Sequence, residues 1–204
     1  MSKDIVLFDM DGTLTEARQA FASFLSSPLW SLASVADIGI VTGSDMDYVK
    51  EQMYSPMNAH SVRYCLHILP CNGTKWYIPP EVPSGSHTLV HEAHMEKEGG
   101  KDKYRQLIEI LLEEQVWVSD FDIPLTGNFI SPRGSMINWC PIGRKANNKQ
   151  RSYFKKFDKK VKLRNQSFSR LRLKLDSADM QDITLKFGGD TSFDIYPKGW
   201  DKTY

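Results

Sequence analysis

The feature that most constrains the fold is a short apolar run that ends in two closely spaced aspartates. Lys3 to Phe8 carries the run, and Asp9-Met10-Asp11-Gly12-Thr13 follows directly. A second run at Asp37 to Val41 also ends in a polar turn, Thr42-Gly43-Ser44-Asp45. Continuous apolar runs of this length are typical of strands buried on both faces of a parallel sheet. The sequence therefore predicts an α/β core with both polar turns at the carboxyl ends of parallel strands.

The helices of this core are less sharply marked. Glu16 to Leu32 has apolar spacing compatible with a helix, which should break near Pro28. Met46 to Met53 is predicted as another helix, with Asp45 or Ser44 as its N-cap. Helices that follow strands in this way fit the parallel arrangement.

The character of the chain changes after the Cys71-Asn72-Gly73-Thr74 turn, and the Pro- and Gly-rich stretch that follows at Pro79 to Ser86 is typical of a hinge. Beyond it come a helical pattern from about Asp102 to Glu114, several short strand-like pieces and a basic helical pattern from Asn148 to Leu175. These elements predict an α+β insertion. We therefore predict a core over residues 1–79, an α+β cap over residues 80–196 and a return to the core over residues 197–204.

Composition is that of an ordinary globular protein. Hydrophobic residues make up 41% and charged residues 25% of the chain, and no apolar run approaches membrane-spanning length. The three cysteines (Cys65, Cys71 and Cys140) are odd in number and lack CxxC spacing. A disulfide framework or a zinc site is therefore disfavoured, and we expect a cytoplasmic protein.

The net charge of +1 conceals a strongly basic segment. Between Ile142 and Lys174 there are 13 Lys and Arg residues against one acid, Asp158. Such a segment can serve a phosphate or a polyanion, or it can be a solvated surface. Nucleic-acid binding is the weaker alternative, because no stacking motif accompanies the charge.

Asp9 and Asp11 have the spacing of a nucleophile and an acid–base catalyst for phosphoryl transfer. Asp9 can attack phosphorus and form an aspartyl phosphate, which divides one displacement into two. Asp11 can protonate the leaving oxygen and later deprotonate the incoming one. A carboxylate is repelled by a phosphate dianion, so a hard cation such as Mg²⁺ is expected to bridge them. A Ca²⁺-type Asp loop or a simple Asp-Gly turn is the alternative.

The strand followed by DMDGT resembles the first motif of the haloacid-dehalogenase-like (HAD) superfamily. The resemblance narrows to the eukaryotic-type phosphomannomutases and spans almost the whole chain. It rests on Thr15-Glu16-Ala17-Arg18-Gln19, Val41-Thr42-Gly43-Ser44-Asp45, Asn72-Gly73-Thr74, Pro141-Ile142-Gly143-Arg144 and Ser192-Phe193-Asp194-Ile195-Tyr196-Pro197-Lys198-Gly199-Trp200-Asp201-Lys202.

This resemblance implies a Rossmann-like parallel-sheet core with an inserted α+β cap. It implies the interconversion of mannose 6-phosphate and mannose 1-phosphate, a step of mannose metabolism towards GDP-mannose. Mg²⁺ and a hexose 1,6-bisphosphate activator would be required. The expected partners are the sugar phosphate and a second copy of the chain, joined through the cap, with no nucleic acid and no membrane.

The resemblance also implies roles for individual residues. Lys202 matches the lysine that neutralises the phosphate and holds Asp9, and Asp9 and Asp11 would bind the metal. At Thr42 the family often has glycine, so the group that contacts phosphate in this turn stays open. The implied phosphate- and sugar-binding residues are Arg18, Thr42, Gly43, Ser44, Arg133, Asn138, Arg144, Arg151, Ser192 and Asp194.

One part of the family pattern has no counterpart after Lys202. The family continues into another strand with further acids, one of which completes the Mg²⁺ site. We therefore expect a metal site one carboxylate short, completed by another chain or by Asp45 or Asp201, or a chain truncated after this motif. The alternatives to a mutase are thus a HAD-type sugar-phosphate phosphatase and a catalytically impaired sugar-phosphate-binding protein.

Overall fold

The chain forms two compact units in this computed structural model, which describes residues 4–16, 19–59 and 62–204. The first unit holds the chain up to Ala93 together with Gly199–Tyr204, and the second holds His94–Lys198. In the described part of the chain, no helix is long and apolar enough to cross a lipid bilayer.

The first unit is built on a five-stranded sheet with the order β1-β2-β3-β4-β5. Three strands are parallel and the last two are antiparallel to their neighbours. Their bounds are Ile5–Asp9 (β1), Asp37–Val41 (β2), Leu66–Leu69 (β3), Lys75–Ile78 (β4) and Thr88–Glu92 (β5). The three parallel strands confirm the α/β core predicted from the sequence.

The prediction that the first strand is buried on both faces is wrong. Ile5 and Leu7 are 46% and 55% exposed, because they alternate onto the face of β1 that lies away from the buried core, whereas Phe8 on the other face packs against that core. Their side chains crowd over Gly39, where an added Cβ would lie 3.3 Å from both Ile5 and Leu69. The opposite alternation on β2 places Ile38 and Ile40 in the fully buried core.

Within the described residues of the first unit, the α-helices are α1 (Ser26–Ala33), α2 (Met46–Gln52) and α3 (Tyr54–Asn58). The predicted helix over Glu16 to Leu32 is confirmed only in its second half, since residues 19–22 form no helix, residues 17–18 lie outside the described residues, and α1 begins at Ser26. The predicted break near Pro28 is wrong, because Pro28 lies in the first turn of α1, where proline is tolerated. Asp45 is the N-cap of α2, as the sequence allowed, and accepts the Tyr48 N–H at 3.0 Å. The core joins these helices to the sheet through Leu29, Ile38, Ile40, Val49, Met57 and Ile68.

The stretch predicted as a hinge lies inside the first unit. It connects β4 to β5, which pair with each other, and Arg63 donates a hydrogen bond to the Gly85 carbonyl at 2.6 Å. The division between the units falls instead at Ala93/His94 and at Lys198/Gly199. The structure thus differs from the boundaries at 80 and 196, because β5 completes the first sheet.

The second unit has the α+β composition that the sequence predicts. Its four strands form an antiparallel sheet in the order β6-β7-β9-β8. The strands are Ile130–Pro132 (β6), Ile137–Trp139 (β7), Ile183–Gly188 (β8) and Ser192–Pro197 (β9). The helices are Met95–Gly99 (α4), Lys101–Ser119 (α5), Asn148–Val161 (α6) and Leu163–Ser177 (α7).

The long basic helical pattern is two helices. Lys162 between α6 and α7 has a left-handed backbone with φ of 58°. The buried carboxylate of Asp158 stabilises this break, because it accepts the Arg164 N–H at 2.8 Å and the Arg164 guanidinium at 2.9 Å. The spacing of apolar residues cannot reveal this break. The break depends on the hydrogen bond that the Asp158 side chain accepts from the Arg164 backbone N–H, and apolar spacing does not report such a bond.

Candidate active site

Asp9 lies at the carboxyl end of β1, paired in register with Val41 at the end of β2. Its Oδ1 accepts the Met10 N–H at 2.9 Å and also the ammonium group of Lys202. Its Oδ2 has no hydrogen-bond partner within the described part of the chain. The side chains of Asp9 and Lys202 are 42% and 44% exposed. A half-exposed carboxylate with one oxygen anchored and the other available is suited to attack an incoming electrophile.

The turn after Asp9 is held by its own backbone. The Met10 carbonyl accepts the N–H groups of Leu14 and Thr15, both at 3.0 Å. Gly12 has φ of 85°, a conformation that favours glycine, and donates its N–H to the Thr15 carbonyl at 2.7 Å. This closed turn holds the backbone of Asp11 near that of Asp9. Oδ1 of Asp11 accepts a hydrogen bond from the Tyr48 hydroxyl at 3.4 Å.

Lys202 reaches Asp9 from the last segment of the chain. The two residues are 193 positions apart in the sequence, yet both belong to the first unit. Asp201 shapes the intervening turn, since its Oδ1 accepts the Thr203 N–H at 3.1 Å and the Thr203 hydroxyl at 2.6 Å. The structure therefore brings Lys202 to Asp9, where a cation opposes the charge of an approaching phosphate.

The Thr42–Ser44 turn follows β2 at the same sheet edge. Thr42 is 1% exposed, and its hydroxyl accepts the Ser44 N–H at 3.1 Å. The Thr42 hydroxyl therefore accepts a hydrogen bond within the turn itself, and the predicted phosphate contact of Thr42 stays a prediction. The Ser44 hydroxyl is only half-buried and has no hydrogen-bond partner in the ranges that the structure describes. Ser44 is thus the better candidate for phosphate binding in this turn.

The magnesium site implied at Asp9 and Asp11 has a limited protein donor set. Among the described residues, no three His, Cys, Asp or Glu side chains are grouped so that they could hold a metal ion. The Oδ1 atoms of Asp45 and Asp201, the substitutes considered, accept hydrogen bonds within their own turns. Magnesium commonly takes one or two carboxylates and keeps water and substrate phosphate as its other ligands. Asp9 and Asp11 would supply these two carboxylates.

A second polar cluster lies within the second unit, on neighbouring strands β7 and β9. Asn138, only 2% exposed, is paired in register with Asp194 and donates to its Oδ1 at 2.7 Å. The same amide donates to Ser192 Oγ at 3.2 Å, while Arg144 Nη1 donates to Asn138 Oδ1 at 3.2 Å. The amide thus links a cation, a carboxylate and a hydroxyl, which are the groups that bind phosphates and sugar hydroxyls.

Arg151 braces the loop that carries Arg144. Its three guanidinium nitrogens donate to the Ala146 carbonyl at 2.9 Å, to Thr191 Oγ1 at 2.8 Å and to the Arg144 carbonyl at 3.1 Å. Arg151, predicted to bind the sugar phosphate, therefore also holds this loop in place. Arg133 is half-buried in the turn between β6 and β7, where its N–H donates to the Met136 carbonyl at 2.8 Å. Arg18 lies outside the described residues.

Two glycines of the second unit leave space for neighbouring atoms, and one of them, Gly188, adjoins the Asn138 cluster. A Cβ on Gly188 would lie 2.9 Å from both Asp194 Oδ2 and Ser192 Oγ. Gly143 has φ of 84°, and a Cβ there would lie 2.7 Å from Thr126 Oγ1. Gly143 belongs to a quoted motif, whereas Gly188 carries no signal that sequence reasoning could have used.

Sequence reasoning also missed the supporting contacts of three polar residues. Thr191 holds Arg151, and Gln115 accepts the Trp139 indole N–H at 2.9 Å while donating to the Pro141 carbonyl at 3.1 Å. In the first unit, Asn72 links the turn after β3 to the Lys202 segment by donating to the Trp200 carbonyl at 3.4 Å. Asn72 belongs to the Asn72-Gly73-Thr74 motif of the family resemblance, but that motif does not identify its contact with the Trp200 carbonyl.

Comparison with solved structures agrees with this architecture. The fold is similar to the IMP-nucleotidase of Plasmodium falciparum, with a TM-score of 0.66, 14% identity and coverage of 98% of this chain and 54% of that one. It is also similar to the C-terminal domain of the C. albicans trehalose-6-phosphate phosphatase, with a TM-score of 0.58, 16% identity and coverage of 98% and 59%. The chain thus spans little more than half of these structures, and the likeness concerns the fold alone.

Comparison at the sequence level is more specific. The profile described as eukaryotic phosphomannomutase matches residues 25–204. Phosphomannomutase of Schizosaccharomyces pombe is 37% identical over 204 residues, which is 99% of this chain and 74% of the relative. That of Dendrobium officinale is 34% identical over 201 residues, covering 98% and 73%. Together with the HAD-like fold, these matches identify the chain as a member of the eukaryotic phosphomannomutase family.

Proposed function

We propose that this protein transfers a phosphoryl group between the 6- and 1-positions of mannose phosphate through an aspartyl phosphate on Asp9. The observation that carries the proposal is the Lys202 ammonium bound to Asp9 Oδ1 at the carboxyl end of β1. Asp11 follows two residues later in a closed turn. Family membership supports the same activity.

The first half-reaction uses the available oxygen of Asp9. Asp9 Oδ2 attacks phosphorus of a hexose 1,6-bisphosphate, an oxygen–phosphorus bond forms, and the bond from phosphorus to the sugar oxygen breaks. Asp11 donates its proton to the leaving oxygen. The products are the aspartyl phosphate and a sugar monophosphate.

The second half-reaction reverses these bonds on the other hydroxyl of the sugar. Asp11 accepts the proton of that hydroxyl, which attacks the phosphoryl group and regenerates the Asp9 carboxylate. Lys202 stabilises the negative charge on the phosphoryl oxygens in both transition states, because its ammonium lies against Asp9. The hexose bisphosphate acts as activator, since it supplies the phosphoryl group that primes Asp9.

Asp9 and Asp11 would hold the magnesium ion. When bound, Mg²⁺ neutralises phosphate charge and so lowers the repulsion between substrate and carboxylate.

We propose that the cluster around Asn138 binds the sugar and the phosphate that does not react. Asp194 is a suitable acceptor for vicinal hydroxyl groups, and Arg144 is suited to a phosphate. The network through Asn138 supports this assignment, because it holds both side chains before a ligand arrives. Pre-organised groups lose less conformational entropy when they bind a ligand.

We further propose a cytoplasmic homodimer that pairs through the second unit and binds neither nucleic acid nor membrane. The absence of nucleic-acid binding is supported by the ion pairs of five basic residues in the 142–174 segment. A basic side chain that is already paired with an acid attracts a polyanion less strongly. The five pairs are Lys155–Asp190, Arg164–Asp158, Arg170–Glu114, Arg172–Asp176 and Lys174–Glu113.

A phosphorus NMR time course tests the proposed reaction. The purified protein is mixed with mannose 1-phosphate, Mg²⁺ and a trace of hexose 1,6-bisphosphate, with Asp9→Asn as the control. Growth of the mannose 6-phosphate signal, absent in the variant, is the expected result. Growth of free phosphate would identify a sugar-phosphate phosphatase instead. An unchanged spectrum would point to a catalytically impaired sugar-phosphate-binding protein.

A further inference from the structure

We infer that Asn72 is a positioning residue that holds Lys202 against Asp9. The inference rests on the proposed function, because it assigns Asn72 a part in the same reaction. Asn72 lies in the turn that follows β3, and β3 is the neighbour of β2 in the sheet. Asn72 is 9% exposed. Its backbone and its side chain bind two different segments of the candidate site.

The backbone of this turn has an unusual conformation. Cys71, Asn72 and Gly73 all have positive φ, at 53°, 65° and 90°. Non-glycine residues rarely adopt this region, and asparagine is among the few that tolerate it. In this conformation the backbone directs two successive N–H groups at the Thr42–Ser44 turn. Cys71 N–H donates to the Ser44 carbonyl at 2.8 Å, and Asn72 N–H donates to the Thr42 carbonyl at 2.7 Å.

The side chain of Asn72 binds the other segment. Its Nδ2 donates to the Trp200 carbonyl at 3.4 Å, two residues before Lys202. Its Oδ1 lies against Gly43, 3.2 Å from the position that a Cβ would take there. One residue therefore joins the Thr42–Ser44 turn to the segment that presents the lysine.

The Lys202 segment has a second attachment on the far side of the lysine. The Tyr204 hydroxyl and His91 Nε2 are 3.1 Å apart, and the two rings are stacked with centroids 5.8 Å apart. That attachment is exposed to water, whereas Asn72 is buried. Because water competes with the exposed contact at Tyr204, the contact between Asn72 and the Trp200 carbonyl is the more sheltered of these two attachments.

The test removes the side chain and leaves the backbone conformation possible. Asn72→Gly keeps the positive φ without strain. Asn72→Asp keeps the shape and removes the donor, and it replaces the glycine variant if that variant does not fold. Asn58→Ala is the matched control, because Asn58 Nδ2 also donates to a backbone carbonyl of the first unit, that of Tyr54, at 2.7 Å.

A double-mutant cycle with Lys202 separates positioning from general damage. In the otherwise unchanged chain, Asn72→Gly should lower kcat about three- to tenfold, the range expected for one hydrogen bond, with little change in KM. In a Lys202→Ala background, it should lower kcat no further, since the residue acts through the lysine. Equal losses in both backgrounds, or no loss at all, would overturn the inference.

Hydrogen exchange measured by mass spectrometry provides a readout that does not need activity. Peptides spanning residues 199–204 should exchange faster in Asn72→Gly than in the unchanged chain and the Asn58→Ala control. Unchanged exchange there would refute the attachment even if the enzyme proves to be a mutase. If the unchanged chain shows no turnover, the proposed reaction fails, and the exchange rates still decide whether Asn72 holds the segment.

Discussion

Replacing Lys202 by alanine is expected to separate the effect of this residue on catalysis from its effect on stability. The side chains of Lys202 and Asp9 are 44% and 42% exposed, so water already screens much of their attraction. Ion pairs of this kind contribute about 0–1 kcal/mol to the free energy of unfolding. In a chain of this size, such a loss lowers Tm by no more than about 4 °C.

The catalytic effect of the same change should be far larger. When phosphate lies against Asp9, Lys202 is the cation that this carboxylate already holds. Removing one pre-organised donor from charge that develops in a transition state lowers kcat about 10²- to 10³-fold. Lys202→Ala should therefore lose at least about 100-fold in kcat while the protein stays folded.

The assay combines the rate of mannose 6-phosphate formation with thermal unfolding of the same preparations. Lys198→Ala is the matched control, since Lys198 is exposed, lies four residues earlier and has no side-chain partner among the described residues. Both variants should keep Tm close to that of the unchanged chain, and the control alone should keep its rate. A Lys202→Ala enzyme with nearly full kcat would refute the reasoning.

Two further predictions concern ligand binding and pH. Arg144→Ala should weaken the binding of mannose 1-phosphate about 10- to 100-fold, the usual effect of losing a hydrogen bond to a charged group. The control Lys156→Ala, at an exposed position, should leave the affinity unchanged. The affinities are measured by calorimetric titration, and an unchanged affinity in Arg144→Ala would show that Arg144 does not belong to the site. Burial lowers the pKa of His87 from its ordinary value of 6.5, against the opposing effect of the Leu66 carbonyl. The free energy of unfolding should therefore be fully maintained above pH 6.5 and fall as pH drops through the lower folded-state pKa. Urea titrations should show a shallower acid decline in His87→Gln, and an unchanged slope would contradict this.

Features encoded by neighbouring residues could be predicted from the sequence. The run that ends in Asp9 and the run that ends at Val41 identify two parallel strands, because apolar periodicity and polar turns are local properties. Asp45 was recognised as a possible N-cap for the same reason. The resemblance then associated Lys202 with Asp9, a contact that no local rule could suggest across 193 residues.

Features that depend on tertiary neighbours could not be predicted. The exposure of Leu7 follows from its place on the sheet face that lies away from the core, and the apolar run itself does not encode which face is covered. The place of β5 in the first sheet moved the division between the units to Ala93, beyond the proline-rich stretch. The resemblance implies that Arg151 binds phosphate or sugar, whereas its bond to Thr191 is visible only in three dimensions.

The most direct test of the account is the identity of the phosphorylated residue during turnover. The enzyme is mixed with hexose 1,6-bisphosphate and Mg²⁺, quenched in acid within the first turnover, digested and mapped by mass spectrometry. The account predicts one added phosphoryl group on the peptide that contains Asp9, located on that side chain and absent from Asp9→Asn. A turning-over enzyme with no phosphoryl group on Asp9, or with the group on another residue, would contradict it.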